Sequence, residues 1–169
     1  MHHQYDQSAP EIGYLPATEG IKYAGSKRSL LPAILQLVRT TGACSVFDGF
    51  SGTTRVSQAL AKSGLTVFCN DIAVWSEVFA TCYLQASGHP HDYQGLIDHL
   101  NAVQPVDGWF TEHYGGDPNN GLSVQADGRK KPWQRHNTRK LDAIRQEIDR
   151  LGLAAEAKAV ALTSLILAL

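Results

Sequence analysis

One stretch limits what this chain can fold into more than any other: a short apolar run that stops at an acidic, glycine-rich turn. Residues 44–47 are followed by Asp-Gly-Phe-Ser-Gly-Thr-Thr at 48–54, where a helical pattern begins. This order predicts a buried strand, a sharp turn and a helix whose N-terminal N–H groups face the turn. A second apolar run, 65–69, ends in Asn70-Asp71, and a carboxylate there can accept hydrogen bonds from both hydroxyls of a ribose. Together the two runs predict half of a site for a nucleotide-type cofactor.

The pattern around these runs is typical of an α/β protein with a parallel sheet. Periodicity predicts helices over 30–39, 54–62 and 73–86, with the two strands between them. For the first helix, the expected N-cap is Ser29 and the expected buried stripe is Leu30, Ile34, Leu37 and Val38. Further helices are predicted over 93–103, from 137 or 138 to about 151, and from about 156 to 169.

Composition sets the class of protein. With 169 residues, the chain is long enough for one domain and too short for two of ordinary size. Its 43% apolar and 18% charged residues argue against extensive disorder, and its net charge of −1 requires any nucleic-acid binding to come from a local patch. Three cysteines and seven histidines form no ligand pattern, so no metal site is expected. The odd cysteine count, with no signal peptide and no apolar run of about 18 residues, predicts a cytoplasmic protein with no membrane span.

Three blocks in this order and spacing resemble the amino-terminal half of the Dam-like, alpha-group adenine-specific DNA methyltransferases. They are Lys-Tyr-Ala-Gly-Ser-Lys at 22–27, Phe-Asp-Gly-Phe-Ser-Gly at 47–52 and Asn-Asp-Ile at 70–72. The resemblance is strong over 22–83 and extends weakly through 109–112 and 141–145. It implies a Rossmann-like fold of the S-adenosylmethionine-dependent methyltransferase type, with a parallel sheet that is truncated at the C-terminus here.

The resemblance implies S-adenosylmethionine as the cofactor and gives roles to residues in these blocks. Asp71 would hold the ribose, Lys27 would lie near the methionine carboxylate, and Tyr23 would lie near the sulfonium cation, which an aromatic face suits. The other candidates would line the cofactor pocket: Phe47, Asp48, Gly49, Phe50, Ser51, Gly52 and Ile72. A dinucleotide-binding dehydrogenase is the next alternative, but the turn lacks the G-x-G-x-x-G spacing.

No catalytic residue is expected in this chain. In the family it resembles, the tetrapeptide Asp-Pro-Pro-Tyr accepts the hydrogens of the target amine on the Asp side chain and a Pro carbonyl, while its aromatic ring stacks on a flipped adenine. The nearest sequence is Asp-Pro-Asn-Asn at 117–120, which we interpret as a turn. Because the apolar final helix also lacks a C-terminal glycine, we expect the cofactor-binding half of a longer enzyme, with the tetrapeptide beyond Leu169.

A basic run with one tryptophan is the candidate DNA-binding segment. Residues 129–140 include six lysines and arginines and no acidic residue, inside a near-neutral chain. Phosphate contact is slightly favoured over a solvated loop, and the family's target-recognition elements lie in this interval. The candidate residues are Arg129, Lys130, Lys131, Trp133, Arg135 and Arg139.

The expected organisation has four ranges: a flexible arm at 1–20, the cofactor-binding part at 21–86, a middle region with candidate DNA-recognition elements at 87–155, and the start of a core helix of an interrupted domain at 156–169. The expected activity is methyl transfer from S-adenosylmethionine to the exocyclic amino group of adenine in double-stranded DNA. Candidate further partners are a cognate restriction endonuclease and a missing C-terminal half. The alternatives are a non-catalytic S-adenosylmethionine- or DNA-binding remnant, and one subunit of a split methyltransferase.

Overall fold

The computed structural model describes residues 15–21, 27–117, 119, 123–124 and 128–169. The chain divides into two compact units, Met1–Asp71 and Ile72–Leu169, each with its own hydrophobic core. Tyr23 falls in a segment, 22–26, that lies outside the described residues. Among the residues that are described, no helix is long and apolar enough to cross a membrane.

The first unit is a strand–helix–strand arrangement preceded by a helix. A 3-10 turn, Lys27–Leu30, leads into α1 (Leu31–Thr41), which is followed by β1 (Ser45–Asp48), α2 (Arg55–Lys62) and β2 (Thr66–Cys69). The strands pair in parallel, with Ser45 opposite Thr66 and Asp48 opposite Cys69. An α/β arrangement with a parallel sheet is therefore confirmed for this pair of strands.

One face of this sheet is covered and the other is open. Leu31 and Leu35 of α1 and Ala59 and Leu60 of α2 form the buried core, against which Val46 and Val67 pack. On the opposite face, the paired residues Phe47 and Phe68 are 68% and 61% exposed. Only the sheet face that carries Val46 and Val67 is therefore buried.

The predicted packing of α1 is right in part. Val38 packs against the core as predicted and Ile34 is half-buried, but Leu30 and Leu37 are exposed, and the buried positions are Leu31 and Leu35. The α-helix begins after a 3-10 turn, with Leu30 as N-cap and no side-chain cap, so Ser29 does not cap it. Leu30 belongs to this 3-10 turn, which has about 3.0 residues per turn in place of 3.6, so it does not continue the stripe of the α-helix.

The second unit is helical where it is described. Helix α3 (Val74–Ala80) continues into a wider π-type turn, Thr81–Gln85. After a 3-10 turn, Pro90–Tyr93, come α4 (Gln94–Ala102), α5 (Trp109–Tyr114), α6 (Arg135–Arg150) and α7 (Ala155–Leu167). Leu100, Ile148 and Ala161 form the buried centre where α4, α6 and α7 meet.

Two features of this unit differ from the prediction. Helix α5 was not predicted, and α6 begins at Arg135, so the carboxyl-terminal part of the basic run is helical. Two described residues of the glycine-rich stretch 115–128 form backbone bridges. Gly115 forms a parallel bridge with Trp133, and Val124 forms an antiparallel bridge with Lys130. The predicted turn at 117 is supported, because Asp117 Oδ1 accepts a hydrogen bond from the Asn119 N–H at 2.7 Å.

Candidate functional site

The carboxyl ends of β1 and β2 are tied together by three hydrogen bonds. The Asn70 N–H donates to the Asp48 carbonyl at 2.9 Å, and the Ser51 N–H donates to the Asn70 carbonyl at 3.0 Å. The Gly52 N–H donates to Asp71 Oδ2 at 2.8 Å. The acidic end of the second strand is therefore held directly against the glycine turn that follows the first.

The Asp48 side chain points to the helix-covered face of the sheet. Its Oδ2 accepts a hydrogen bond from the Ser57 hydroxyl of α2 at 2.7 Å. Burial, with the nearby negative charge of Asp48, raises the pKa of the Cys69 thiol. The thiol is therefore kept neutral, and a neutral thiol is a poor nucleophile.

The turn between β1 and α2 is buried, strained and rich in donors. Ser51, Thr53 and Thr54 are buried, and Thr54 has φ 61°, the one non-glycine residue with positive φ among those described. In the described part of the chain, the N–H groups of Gly49 and Phe50 have no hydrogen-bond acceptor. The first N–H groups of α2 add to these donors, because the first turn of a helix leaves its N–H groups unpaired.

A small cleft beside this turn is positively charged. Lys27, Phe50, Ser51, Thr53, Arg55 and Val56 line it, so it has two cations and no acidic residue. The Phe50 ring is 84% exposed at its edge. A larger cleft at the opposite, amino end of the strands is lined by residues of α1, α2 and their flanks, among them Leu35, Arg39, Cys44 and Leu65. In open α/β sheets ligands bind at the carboxyl ends of the strands, which favours the smaller cleft.

The structure brings most of the predicted cofactor residues together. Lys27, Phe50 and Ser51 share the small cleft, and Gly52 is bonded to Asp71. Gly49 lies against the Phe47 ring, since a Cβ there would be 3.3 Å from Phe47 Cε1.

Two predicted positions lie at the edge of this group. Phe47 approaches Gly49 of the turn, but its side chain lies on the open face of the sheet, opposite to the face that holds Asp48. Ile72 is fully exposed and is the first residue of the second unit.

Sequence reasoning did not single out Arg55. This arginine opens α2 and is 6% exposed, and no carboxylate of the described residues lies within ion-pair distance of it. Burial of a guanidinium without a carboxylate partner costs free energy. The position of Arg55 next to the turn therefore indicates a specific role. The available signal was the spacing of Arg55, Gln58 and Lys62, which puts three polar side chains on one face of a short helix.

In the second unit, several side chains of the basic run make contacts with other residues of the protein. Arg135 Nη2 lies 2.6 Å from Asp107 Oδ1, and Arg139 Nε lies 3.4 Å from Asp107 Oδ2. Lys131 Nζ donates to the His113 carbonyl at 2.8 Å. Lys130 is exposed. These contacts restrain Arg135, Arg139 and Lys131.

The aromatic residues near the basic run form one cluster, the α5 cluster, which consists of Trp109, Phe110, His113, Tyr114 and Trp133. Trp133 packs against Phe110 at 5.2 Å and Tyr114 at 6.1 Å between ring centroids. Trp109 stacks on His113 at 4.4 Å and is 61% exposed. Trp109 is therefore more accessible to a partner than the predicted Trp133, which is only partly exposed.

A buried carboxylate holds the α5 cluster in place. Asp142 accepts hydrogen bonds from the N–H groups of Phe110 at 3.0 Å and Thr111 at 2.8 Å, and from the Thr111 hydroxyl at 2.6 Å. Asp142, a residue of the neighbouring helix α6, thereby caps the N-terminus of α5. The described residues contain no group of three or more His, Cys, Asp or Glu side chains that could hold a metal ion.

The fold and the turn define an α/β protein with a candidate ligand site at the carboxyl ends of two parallel strands. The family model for the D12 class N6 adenine-specific DNA methyltransferases matches residues 23–113, more than half of the chain. The protein therefore belongs to this family. The match includes all but the first residue of the three blocks and extends through 109–112, and it ends before 141–145. No curated protein and no solved structure was found to match the chain.

Proposed function

We propose that this chain binds S-adenosylmethionine at the turn between β1 and α2, as the cofactor-binding part of an adenine-specific DNA methyltransferase with a Rossmann-like sheet. The observation that carries this proposal is the 2.8 Å hydrogen bond from the Gly52 N–H to Asp71 Oδ2. It places the carboxylate that is expected to hold a ribose at the same point as the turn that is expected to hold the rest of the cofactor.

The residues at the turn fit the chemical groups of this cofactor. A carboxylate has about four acceptor positions, so Asp71 can bind ribose hydroxyls while it keeps the Gly52 bond. Lys27 lines the small cleft without an acidic neighbour, which suits the methionine carboxylate. The exposed Phe50 ring offers a face for a sulfonium or an adenine. When bound, S-adenosylmethionine would supply an electrophilic methyl group for the exocyclic amine of adenine.

The proposal assigns cofactor binding to this chain and no catalytic residue. Activation of the amine needs acceptors like those of Asp-Pro-Pro-Tyr, a sequence that residues 1–169 lack. We therefore expect no methyl transfer to DNA by these residues alone, and expect it when a polypeptide with that tetrapeptide is supplied. A cytoplasmic location and a cognate restriction endonuclease remain predictions.

Calorimetric titration of the chain with S-adenosylmethionine tests the cofactor site. Asp71→Asn keeps an oxygen that can accept from Gly52 but lacks the charge, and Asp71→Ala removes both. We expect the Kd to rise by about 10- to 100-fold in both variants, since hydrogen bonds to charged groups contribute about 1.5–3 kcal/mol. The matched control is Asp98→Ala, which removes an exposed carboxylate of α4 and should leave the Kd unchanged. An unaltered Kd in both Asp71 variants would reject the site.

For DNA, we propose that Lys130 and Trp109 make contacts, together with the other predicted residues of 129–139. Lys130 is exposed, and Trp109 presents its ring at the edge of the α5 cluster. Loss of one phosphate contact should reduce the salt dependence of DNA affinity by about one unit of slope. This reduction is expected for Lys130→Ala and not for Arg145→Ala, whose arginine pairs with Asp149 on α6. Equal slopes for the two variants would exclude Lys130 from the interface.

A further inference from the structure

Helix α2 holds a segment from the amino-terminal part of the chain along its side. We call residues 17–20 the strap. Arg55 Nη1 donates to the Thr18 carbonyl at 2.7 Å, and Arg55 Nη2 donates to the Gly20 carbonyl at 2.5 Å. Gln58 binds the Glu19 backbone at both groups, with Oε1 accepting from N–H at 2.8 Å and Nε2 donating to the carbonyl at 3.1 Å. Lys62 Nζ donates to the Ala17 carbonyl at 2.6 Å.

These contacts contribute little to the hydrophobic core. None of the four strap residues is buried, whereas Arg55 and Gln58 are 6% and 2% exposed. Within the described ranges, Arg55 Nε is buried and has no hydrogen-bond partner. A polar side chain is buried at tolerable cost only when it is hydrogen-bonded, and the strap backbone supplies these bonds to Arg55 and Gln58. Both side chains are therefore committed to holding the strap.

The strap reaches the turn at its carboxyl end. Gly20 has φ +136°, and a Cβ at this position would lie 3.4 Å from the Thr53 Cβ and 3.5 Å from the Thr53 carbonyl oxygen. Seven residues later, Lys27 lines the small cleft with Phe50 and Ser51. The described residues on both sides of 22–26 are therefore anchored at the same turn.

We infer that Arg55 is a positioning residue: by clamping the strap to α2, it sets where Lys27 enters the small cleft and thereby sets the affinity for the cofactor. This inference rests on the proposed function for the identity of the cofactor, but not for the clamp itself. Arg55 acts through its planar fork, which bonds two carbonyls at once, and a lysine cannot reproduce that geometry. The positive charge of a lysine would therefore not be sufficient to hold both strap carbonyls.

Two variants test the clamp from opposite sides. Arg55→Lys keeps the charge and loses the fork. Gly20→Val changes the strap and leaves α2 intact, and it is strained because a valine cannot easily adopt the φ of Gly20. Arg39→Ala, which removes an exposed arginine of α1 in the same unit, is the control. Three quantities are measured on the full chain: hydrogen exchange at the Glu19 amide, whose N–H donates to Gln58 Oε1, the chemical shift of the Lys27 amide, and the Kd for S-adenosylmethionine by calorimetry.

We expect faster exchange at Glu19, a shifted Lys27 amide signal and a rise in Kd of about tenfold in Arg55→Lys and Gly20→Val, equivalent to one lost hydrogen bond, with no change in Arg39→Ala. An unmoved Lys27 signal in both variants would overturn the positioning role. A moved Lys27 signal with an unchanged Kd would also overturn it, because the clamp would then be only structural. Failure of the unaltered chain to bind S-adenosylmethionine would overturn the proposed function, and the Lys27 signal would still decide whether the clamp positions this residue.

Discussion

The turn between β1 and α2 requires an unusual backbone conformation at Thr54. Its backbone is left-handed, with φ 61° and ψ 9°, a conformation that is rare for a β-branched side chain. The residue is fully buried, and its hydroxyl accepts a hydrogen bond from Gln58 Nε2 at 3.0 Å. The surrounding contacts hold this strain in place, and strained backbone of this kind is frequent at functional sites.

We predict that Thr54→Gly is more stable than Thr54→Ala by about 1 kcal/mol, because only glycine removes the left-handed strain. Both variants lose the hydroxyl, so their difference isolates the backbone. The control pair is Ala61 and Ala61→Gly in the interior of α2, where glycine should be the less stable by about 1 kcal/mol. Urea denaturation of the four chains gives the comparison. A Thr54→Ala chain that is as stable as Thr54→Gly would show that the turn is unstrained.

At the scale of elements, α5 depends on a residue outside itself. A helix of six residues is too short to be stable alone, and Asp142 of α6 supplies the acceptors for its first N–H groups. The contact is close, since a Cβ at Gly108 would lie 2.6 Å from Asp142 Cγ. The position of the α5 cluster therefore follows from one carboxylate and one glycine.

We predict that Asp142→Ala lowers the free energy of unfolding by about 1–3 kcal/mol, the cost of leaving buried donors unpaired. Gly108→Ala should also destabilise the protein, because the added methyl group and the carboxylate cannot occupy the same space. Asp98→Ala is the matched control and should change stability by less than about 0.5 kcal/mol. Thermal unfolding measures all three. Equal stability of Asp142→Ala and the control would contradict the role of Asp142 as a cap.

A second contact between elements predicts a dependence on pH. Glu147 of α6 accepts a hydrogen bond from Arg150 Nε at 2.7 Å and lies 2.5 Å from His99 Nε2 of α4. Hydrogen bonds from Arg150 and then from His99 lower the pKa of Glu147 from 4.5 to about 2. Because the folded state binds the proton less tightly than the unfolded state, Glu147 stabilises the fold above about pH 4.5, and this stabilisation is lost as the pH falls towards 2.

Denaturation at several pH values between 2 and 6 checks this prediction. The original chain should lose more stability on acidification than Glu147→Gln, whose side chain does not titrate. Glu112→Gln, which alters an exposed carboxylate of α5, should follow the original chain. Identical pH dependence in all three chains would contradict the assignment.

At the scale of the molecule, the strand–turn–helix–strand order could be predicted because short stretches of the sequence indicate each element. The apolar runs 44–47 and 65–69 predicted the two strands, and the structure has the strands at Ser45–Asp48 and Thr66–Cys69. The family could also be predicted, since three short blocks carry it and the family model confirms it over 23–113. The link between Asp71 and Gly52 follows from the parallel pairing of the two strands.

The rest depends on contacts between residues far apart in the chain. The clamp joins Arg55 to Thr18 and Gly20, and the cap joins Asp142 to Thr111, and neither pair has a local pattern. Helix α5 exists through that cap, so its own six residues gave no helical signal. The exposure of Leu30 was missed because this residue belongs to the 3-10 turn before α1, which a uniform helical period cannot represent.

The central claim is that the turn between β1 and α2 is where the cofactor binds. The most direct test is an NMR titration of the ¹⁵N-labelled chain with S-adenosylmethionine, followed through the amide signals. We predict the largest shifts at Gly49, Phe50, Gly52 and Asp71, and small shifts at Gly42, Cys44 and Leu65 in the larger cleft at the other end of the strands. Shifts centred on Gly42, Cys44 and Leu65, or no shifts at saturating cofactor, would contradict it.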